Sequence, residues 1–278
     1  MLYLVLAIAS SVMVSITMRF SERHAKNNIV MLAWNYVMCL FLAWHYLRPG
    51  KIFPEEPGIW TALSLGCMNG FLYLASFWLL QVNIQKNGIV LSSIFMKLGV
   101  LVPTVLSVLC FHEVPKCVQI FGFLTALISI VLIQSESGQT GISFKAGLIF
   151  LLLGGGSADA MSKVFAEIGT VRLEEQFLLY TFTAALLLCI LLALVKKQHI
   201  CASDVIFGML IGVPNYFSAR FLLKALGSIP AIIAYPTYSV ATILVITMIG
   251  VFFFREKISR RQRYAIVGIL LALILLNI

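Results

Sequence analysis

The chain has 278 residues, of which 61% are hydrophobic and 11% charged, with a net charge of +9 and a mean hydropathy of +1.01. A soluble domain carries about 25% charged residues, so this composition excludes one and points to an all-α polytopic membrane protein. Most Lys and Arg lie between apolar runs, where they anchor helix ends at phospholipid headgroups, and that distribution excludes nucleic acid as a partner.

A membrane-crossing helix needs about 20 apolar residues. Ten candidate spans follow in chain order, near 2–20, 29–47, 58–82, 88–111, 116–134, 145–165, 176–195, 203–225, 229–254 and 263–278. The first run begins at Met1 without a basic leader and reaches Arg19 without a small-residue cleavage motif, so it is expected to remain as the first helix. Pro-, Gly- and acid-rich breaks such as RPGKIFPEEPG (48–58) and QSESGQTG (134–141) separate the spans. The six cysteines show no CxxC spacing and read as small buried hydrophobes, without a disulfide frame or a metal site. No HExxH, GxSxG or Walker A motif is present, so an enzyme is not expected, and no cofactor either.

Polar residues inside the spans are the candidates for function. Lys97 lies about nine residues into span 4, roughly 14 Å deep at 1.5 Å per residue. Such a charge costs at least about 2.5–3.5 kcal/mol in hydrocarbon and must face the bundle interior or water. In span 6 the stretch GGGSADAMSKVF (154–165) carries Asp159 and Lys163 four residues apart on one helix face. They can pair with each other, or Asp159, shorter and deeper, can partner Lys97 or carry a proton. Asn35, Asn69 and Asn215 are cavity candidates because an amide in hydrocarbon needs partners at both ends. Tyr73 extends the Asn69 stripe, and Tyr235 and Tyr238 share a face of span 9. Arg220 and Lys224 approach the end of span 8 on one face, as headgroup anchors or at a cavity mouth. This inventory is more basic than acidic and favours a carboxylate- or phosphate-bearing solute.

Five spans recur as five more. FHEVP (111–115) closes span 4 and FREKI (254–258) closes span 9; GCMN (66–69) and GVPN (212–215) open a G-x-x-N pattern in spans 3 and 8; FWLLQVNIQKNGIV is echoed by RFLLKALGSIPAII. A repeated unit with an odd number of spans must be inverted, which places Glu113 and Glu256 at opposite membrane faces. The halves are 1–134 and 145–278.

With FHEVPKCVQIFG, FREKISRRQRYAIVG and AIIAYPTYSV (231–240), the chain resembles the drug/metabolite transporter superfamily, specifically a ten-helix EamA-type member. That resemblance implies a 5+5 inverted repeat with a central cavity lined by spans 1–4 and 6–9. The small four-helix multidrug relatives use a glutamate in the first helix, and LYLVLAIASSVMVSITM holds no acid there. The expected function is secondary active transport of a small polar metabolite, most simply an amino acid or other carboxylate-bearing solute, by export or by exchange with protons. The alternatives are an organic-cation or multidrug transporter, a lipid flippase and a non-transporting receptor. Expected partners are the small-molecule substrate, membrane lipid and protons, with a monomer or a homodimer as the assembly. A bacterial inner membrane is the expected location. Charge bias between loops favours external termini through the FREKISRRQR loop alone, whereas the resemblance implies cytoplasmic termini, and the expectation follows the resemblance.

Overall fold

The structure is a computed structural model that describes residues 1–21, 24–47, 51–87, 89–134, 145–254 and 260–278. Regular structure among the described residues is entirely helical, as it must be where a bilayer leaves no water to satisfy backbone groups. The helices are α1 (Leu2–Ser21), α2 (Asn28–Leu47), α3 (Ile59–Asn87), α4 (Ile89–Leu98), α5 (Leu101–Cys110), α6 (Cys117–Gln134), α7 (Lys145–Ile168), α8 (Glu174–Val195), α9 (Ala202–Leu226), α10 (Ala231–Phe254) and α11 (Arg260–Leu276). Among the described residues seven helical stretches are long and apolar enough to cross a membrane, within α1, α2, α3, α7, α8, α9 and α10. Shorter apolar helices cover Phe95–Cys110, Cys117–Leu132 and Arg263–Leu276.

The expected fourth span is not one continuous helix. It breaks into α4 and α5 at Gly99 and Val100. Pro103 has no N–H to offer the Gly99 carbonyl four residues earlier; that carbonyl accepts from Val102 N–H at 2.9 Å instead, and Gly99 N–H bonds to Met96 O at 3.1 Å. The helix tightens, stops and restarts. Glu256, the expected counterpart of Glu113, lies outside the described residues.

The chain forms two compact units, and the boundaries fall inside α3 and α7. Unit 1 holds residues 1–74 and 164–227. Within it α9 packs on α1 and α2, and α2 packs on α8. Glycines set the approach distances. A Cβ on Gly212 would sit 2.6 Å from Asn35 O and 2.6 Å from Met38 Cβ of α2; one on Gly66 would sit 3.0 Å from Phe177 O and 2.8 Å from Tyr180 Cβ of α8. The core between these helices includes Tyr36, Cys39, Phe177, Phe182, Tyr216 and Leu223. The start of α2 is capped twice: Asn27 Oδ1 accepts from Ile29 N–H, while buried Asp204 Oδ1 accepts from Lys26 and Asn27 N–H at 2.7 and 3.2 Å.

Unit 2 holds residues 75–163 and 228–278. Its tightest packing is α6 on α11, with α10 against α5, α6 and α11 and α4 against α6. A Cβ on Gly122 of α6 would meet Leu275 Cβ at 2.9 Å, and one on Gly268 of α11 would run into Ser129. Ala126, Ile130, Val240, Ile243, Ala265 and Ile269 fill the core behind these contacts.

Candidate functional site

The first group of polar side chains lies in unit 2, around the α4–α5 break. Lys97 occupies the last turn of α4, where a cation complements the negative end of the helix dipole. It is half-buried. Three consecutive glycines bring α7 to this place: Gly154 faces Ser76 and Leu79 of α3, Gly155 faces Met96, and Gly156 fits only because it lacks a Cβ that would strike Val102 and the Gly99 carbonyl. Asp159 follows Gly155 by one turn, on the face that meets Met96. Its side chain is exposed, and its charge and that of Lys97 act on each other. Neither group has a direct ion-pair contact among the described residues. Buried Tyr235 donates its hydroxyl to the Asp159 carbonyl at 2.6 Å, which fixes α10 against α7 beside the acid. Tyr238, one turn further along α10, is half-buried.

Of the two readings open for Asp159, the structure does not show the pair with Lys163. Lys163 Nζ lies 2.7 Å from Glu113 Oε1, with side-chain exposures of 2% and 14%. The backbone explains why. At the end of α5, His112 takes the left-handed conformation (φ 53°) and Glu113 N–H bonds back to Ser107 O at 3.1 Å. That reversal presents Glu113 to the start of α10, where its two oxygens accept from Ala231 and Ile232 N–H at 3.0 and 3.1 Å. Lys163 also lies 5.6 Å from the Phe111 ring centroid. Burial alone would raise the Glu113 carboxyl, but the Lys163 hydrogen bond, the two backbone donors and the Lys163 charge outweigh it and hold the group below the usual carboxylate range. With Lys163 engaged elsewhere, Asp159 is left to Lys97.

The remaining candidates lie in unit 1 and form no single cluster. Asn215 Nδ2 donates to Asn35 Oδ1 at 3.1 Å, and Cys39 Sγ approaches Gly212 O at 3.3 Å, so these amides join α2 to α9. Asn69 is 1% exposed and its Oδ1 has no hydrogen bond among the described residues. Tyr73 is half-buried near Tyr36. Arg220 is not a simple headgroup anchor: its Nε lies 2.6 Å from Glu175 Oε1, and its guanidinium stands 3.9 Å above the Tyr46 ring. Lys224, half-buried, has its ammonium 5.7 Å from the Tyr3 ring centroid. Glu175, Glu113 as a cap, and Asp204 were not singled out as site residues from sequence. The adjacent acids Glu174 and Glu175 at the start of span 7 are the signal that could have found the Arg220 partner.

No protein-family model matches the chain. It is 27% identical over 275 residues to an uncharacterized protein of Haemophilus influenzae, a match covering 92% of this chain and 91% of that protein. A solved crystal structure at 13% identity superposes with a TM-score of 0.78, over 99% of this chain and 94% of its own. Likeness at that identity establishes a shared fold and carries no function with it.

Proposed function

We propose that the chain is a secondary active transporter of a small polar metabolite, an amino acid or another carboxylate-bearing solute, built as the 5+5 inverted repeat of an EamA-type drug/metabolite transporter. The observation that carries this reading is the charged pair at a helix break: Lys97 in the last turn of α4, Asp159 across from it on α7, and the α4–α5 interruption between. Secondary transporters bind substrate near the bilayer midplane at discontinuous helices. Charges that feel each other without direct contact leave room for a solute to bridge them, its carboxylate on Lys97 and a cationic group or a proton on Asp159. Access to the pair then alternates between the two membrane faces.

The glycine contacts support the repeat. Gly66 and Gly212, matched by the G-x-x-N pattern, each press on a carbonyl and on the Cβ three residues later, in spans 7 and 2 respectively. In spans 5 and 10 one shift along the chain carries Gly122 onto Gly268 and Ser129 onto Leu275, and Gly122 meets Leu275 as Gly268 meets Ser129. Reciprocal contacts of that kind are what a twofold relation produces. Spans 2 and 7, 4 and 9, and 5 and 10 each pack on their own counterpart, as expected near such an axis.

The test is counterflow in proteoliposomes loaded with a panel of amino and organic acids. A transporter gives saturable exchange of at least one water-soluble carboxylate solute, and Lys97→Met abolishes it. Saturable binding without flux would instead identify a receptor, and movement of labelled lipid headgroups a flippase.

A further inference from the structure

In unit 1, α9 carries Arg220 and, one turn on, Lys224, and each faces a carboxylate in the first turn of α8 and an aromatic ring. Arg220 is held at two points. Its Nε bonds to Glu175 Oε1 at 2.6 Å, and its guanidinium carbon stands over the Tyr46 ring, 3.9 Å from the centroid. Glu175 is itself fixed, because buried Tyr216 donates to Oε2 at 2.8 Å. Both carboxylate oxygens are therefore in use, and Arg220 is engaged through Nε alone. Its two terminal nitrogens make no hydrogen bond among the described residues, although the side chain is only 16% exposed. A guanidinium has five N–H donors, and the Arg220 terminal nitrogens are not among the fully buried polar atoms that lack a partner, so a ligand can reach them. Lys224 adds a second cation, its ammonium within the field of Glu174 and over Tyr3. Around both cations the rings of Tyr3, Tyr46, Phe217 and Phe221 form one contiguous aromatic wall: Tyr3 stacks on Phe221 at 6.3 Å, Phe221 on Phe217 at 5.6 Å, and Tyr46 meets Phe217 edge-on at 5.9 Å.

We propose that Arg220 and Lys224 form a second anion site, which takes one carboxylate or phosphate group bidentately on the free end of the Arg220 guanidinium. The terminal pair of nitrogens is the fork that matches such a group. Glu175 serves as the orienting residue: held by Tyr216, it sets the plane of the fork and offsets the Arg220 charge, while the Lys224 charge is left for the ligand. The aromatic wall suits a ligand whose anionic head is joined to an apolar body. That chemistry is shared by an organic anion and by the headgroup of an anionic phospholipid entering from the membrane interface. The site consists of unit 1 residues only and goes beyond the transport reading; it stands whether or not Lys97 and Asp159 move a solute.

The experiment uses purified full-length protein in a neutral detergent, titrated separately with inorganic phosphate and with short-chain phosphatidylglycerol, with short-chain phosphatidylcholine as the zwitterionic control. The readouts are the unfolding midpoint and the lipid retained in native mass spectrometry. Saturable binding of phosphate identifies a free anion as sufficient. Saturation by phosphatidylglycerol alone identifies the lipid headgroup; either outcome supports the site. Arg220→Lys keeps the charge and the Glu175 pair, hence the fold, but removes the fork, and should weaken binding at least about tenfold. Tyr46→Leu, which leaves the ion pair intact, should weaken it severalfold. Absence of saturable binding by both probes, or wild-type affinity in Arg220→Lys, would overturn the proposal.

Discussion

Removing the Glu113 carboxylate should cost this protein more than removing the Lys163 ammonium 2.7 Å from it. Glu113→Ala takes away the anion facing an ammonium that is 2% exposed, together with both acceptors at the start of α10. Breaking a buried ion pair from one side costs about 3–5 kcal/mol, and losing a helix cap about 1 kcal/mol. Glu113 keeps some access to water, which favours the lower end, so a loss of about 4 kcal/mol is expected. Lys163→Met leaves Glu113 with its two backbone donors and that access, and about 2 kcal/mol is expected. In the double variant Glu113→Ala/Lys163→Met no buried charge is stranded, so it should be more stable than the two single effects together imply, with a coupling of about 2 kcal/mol. Reversible unfolding in mixed micelles, followed by intrinsic fluorescence, measures each term. Single effects that add to the double effect within about 0.5 kcal/mol would refute the reasoning.

The same pair fixes a pH dependence. Because the folded Glu113 pKa lies below its ordinary 4.5, the contribution of the pair is complete above that value and is lost as pH falls through the lower folded one. The stability difference between wild type and Glu113→Gln should therefore be flat near neutral pH and shrink on acidification below the ordinary carboxylate value; a difference that grows there contradicts the assignment. Gly156→Val should strike Val102 and the Gly99 carbonyl and reduce the unfolding midpoint sharply, whereas Gly155→Ala, whose Cβ would lie 4.0 Å from Met96 Cγ, should be tolerated; equal effects would remove close α7 packing as the reason for the glycines. At equal expression, Asp159→Asn should impair flux or its pH dependence more than Lys163→Gln does, since Lys163 serves Glu113; the reverse order in the same uptake assay would place Lys163 in the transport path.

The helical membrane class was legible because about 20 apolar residues leave few alternatives to a helix, and among the described residues seven helices are long and apolar enough to span. The interruption of span 4 was only half legible. A proline at position 103 leaves the carbonyl four residues earlier without its helical donor, but the stop two residues beyond Lys97 depends on Gly99 meeting Gly156 of another helix, which periodicity does not encode. The Asp159–Lys163 spacing satisfied a local rule and still gave the wrong partner. The long Lys163 side chain is captured by Glu113, fifty residues earlier in sequence, because His112 turns the chain back. For Arg220 the sequence left two readings open, an anchor or a cavity mouth, because the acid it pairs with, Glu175, lies on a neighbouring helix. The triple glycine is visible in the sequence, and small residues in an apolar helix let backbones approach closely, as Gly156 does against Gly99 and Val102.

The most direct test of alternating access is two-sided labelling at position 96. Met96 is exposed, precedes Lys97 and lies against Gly155, one turn from Asp159. Met96→Cys, in a background with the six native cysteines replaced, leaves the charged pair intact. Oriented vesicles are treated with a membrane-impermeant thiol reagent from one face or the other, with and without a transported solute. The account predicts labelling from both faces, with the ratio shifted by solute and the shift abolished by Lys97→Met. Labelling confined to one face under every condition would contradict it.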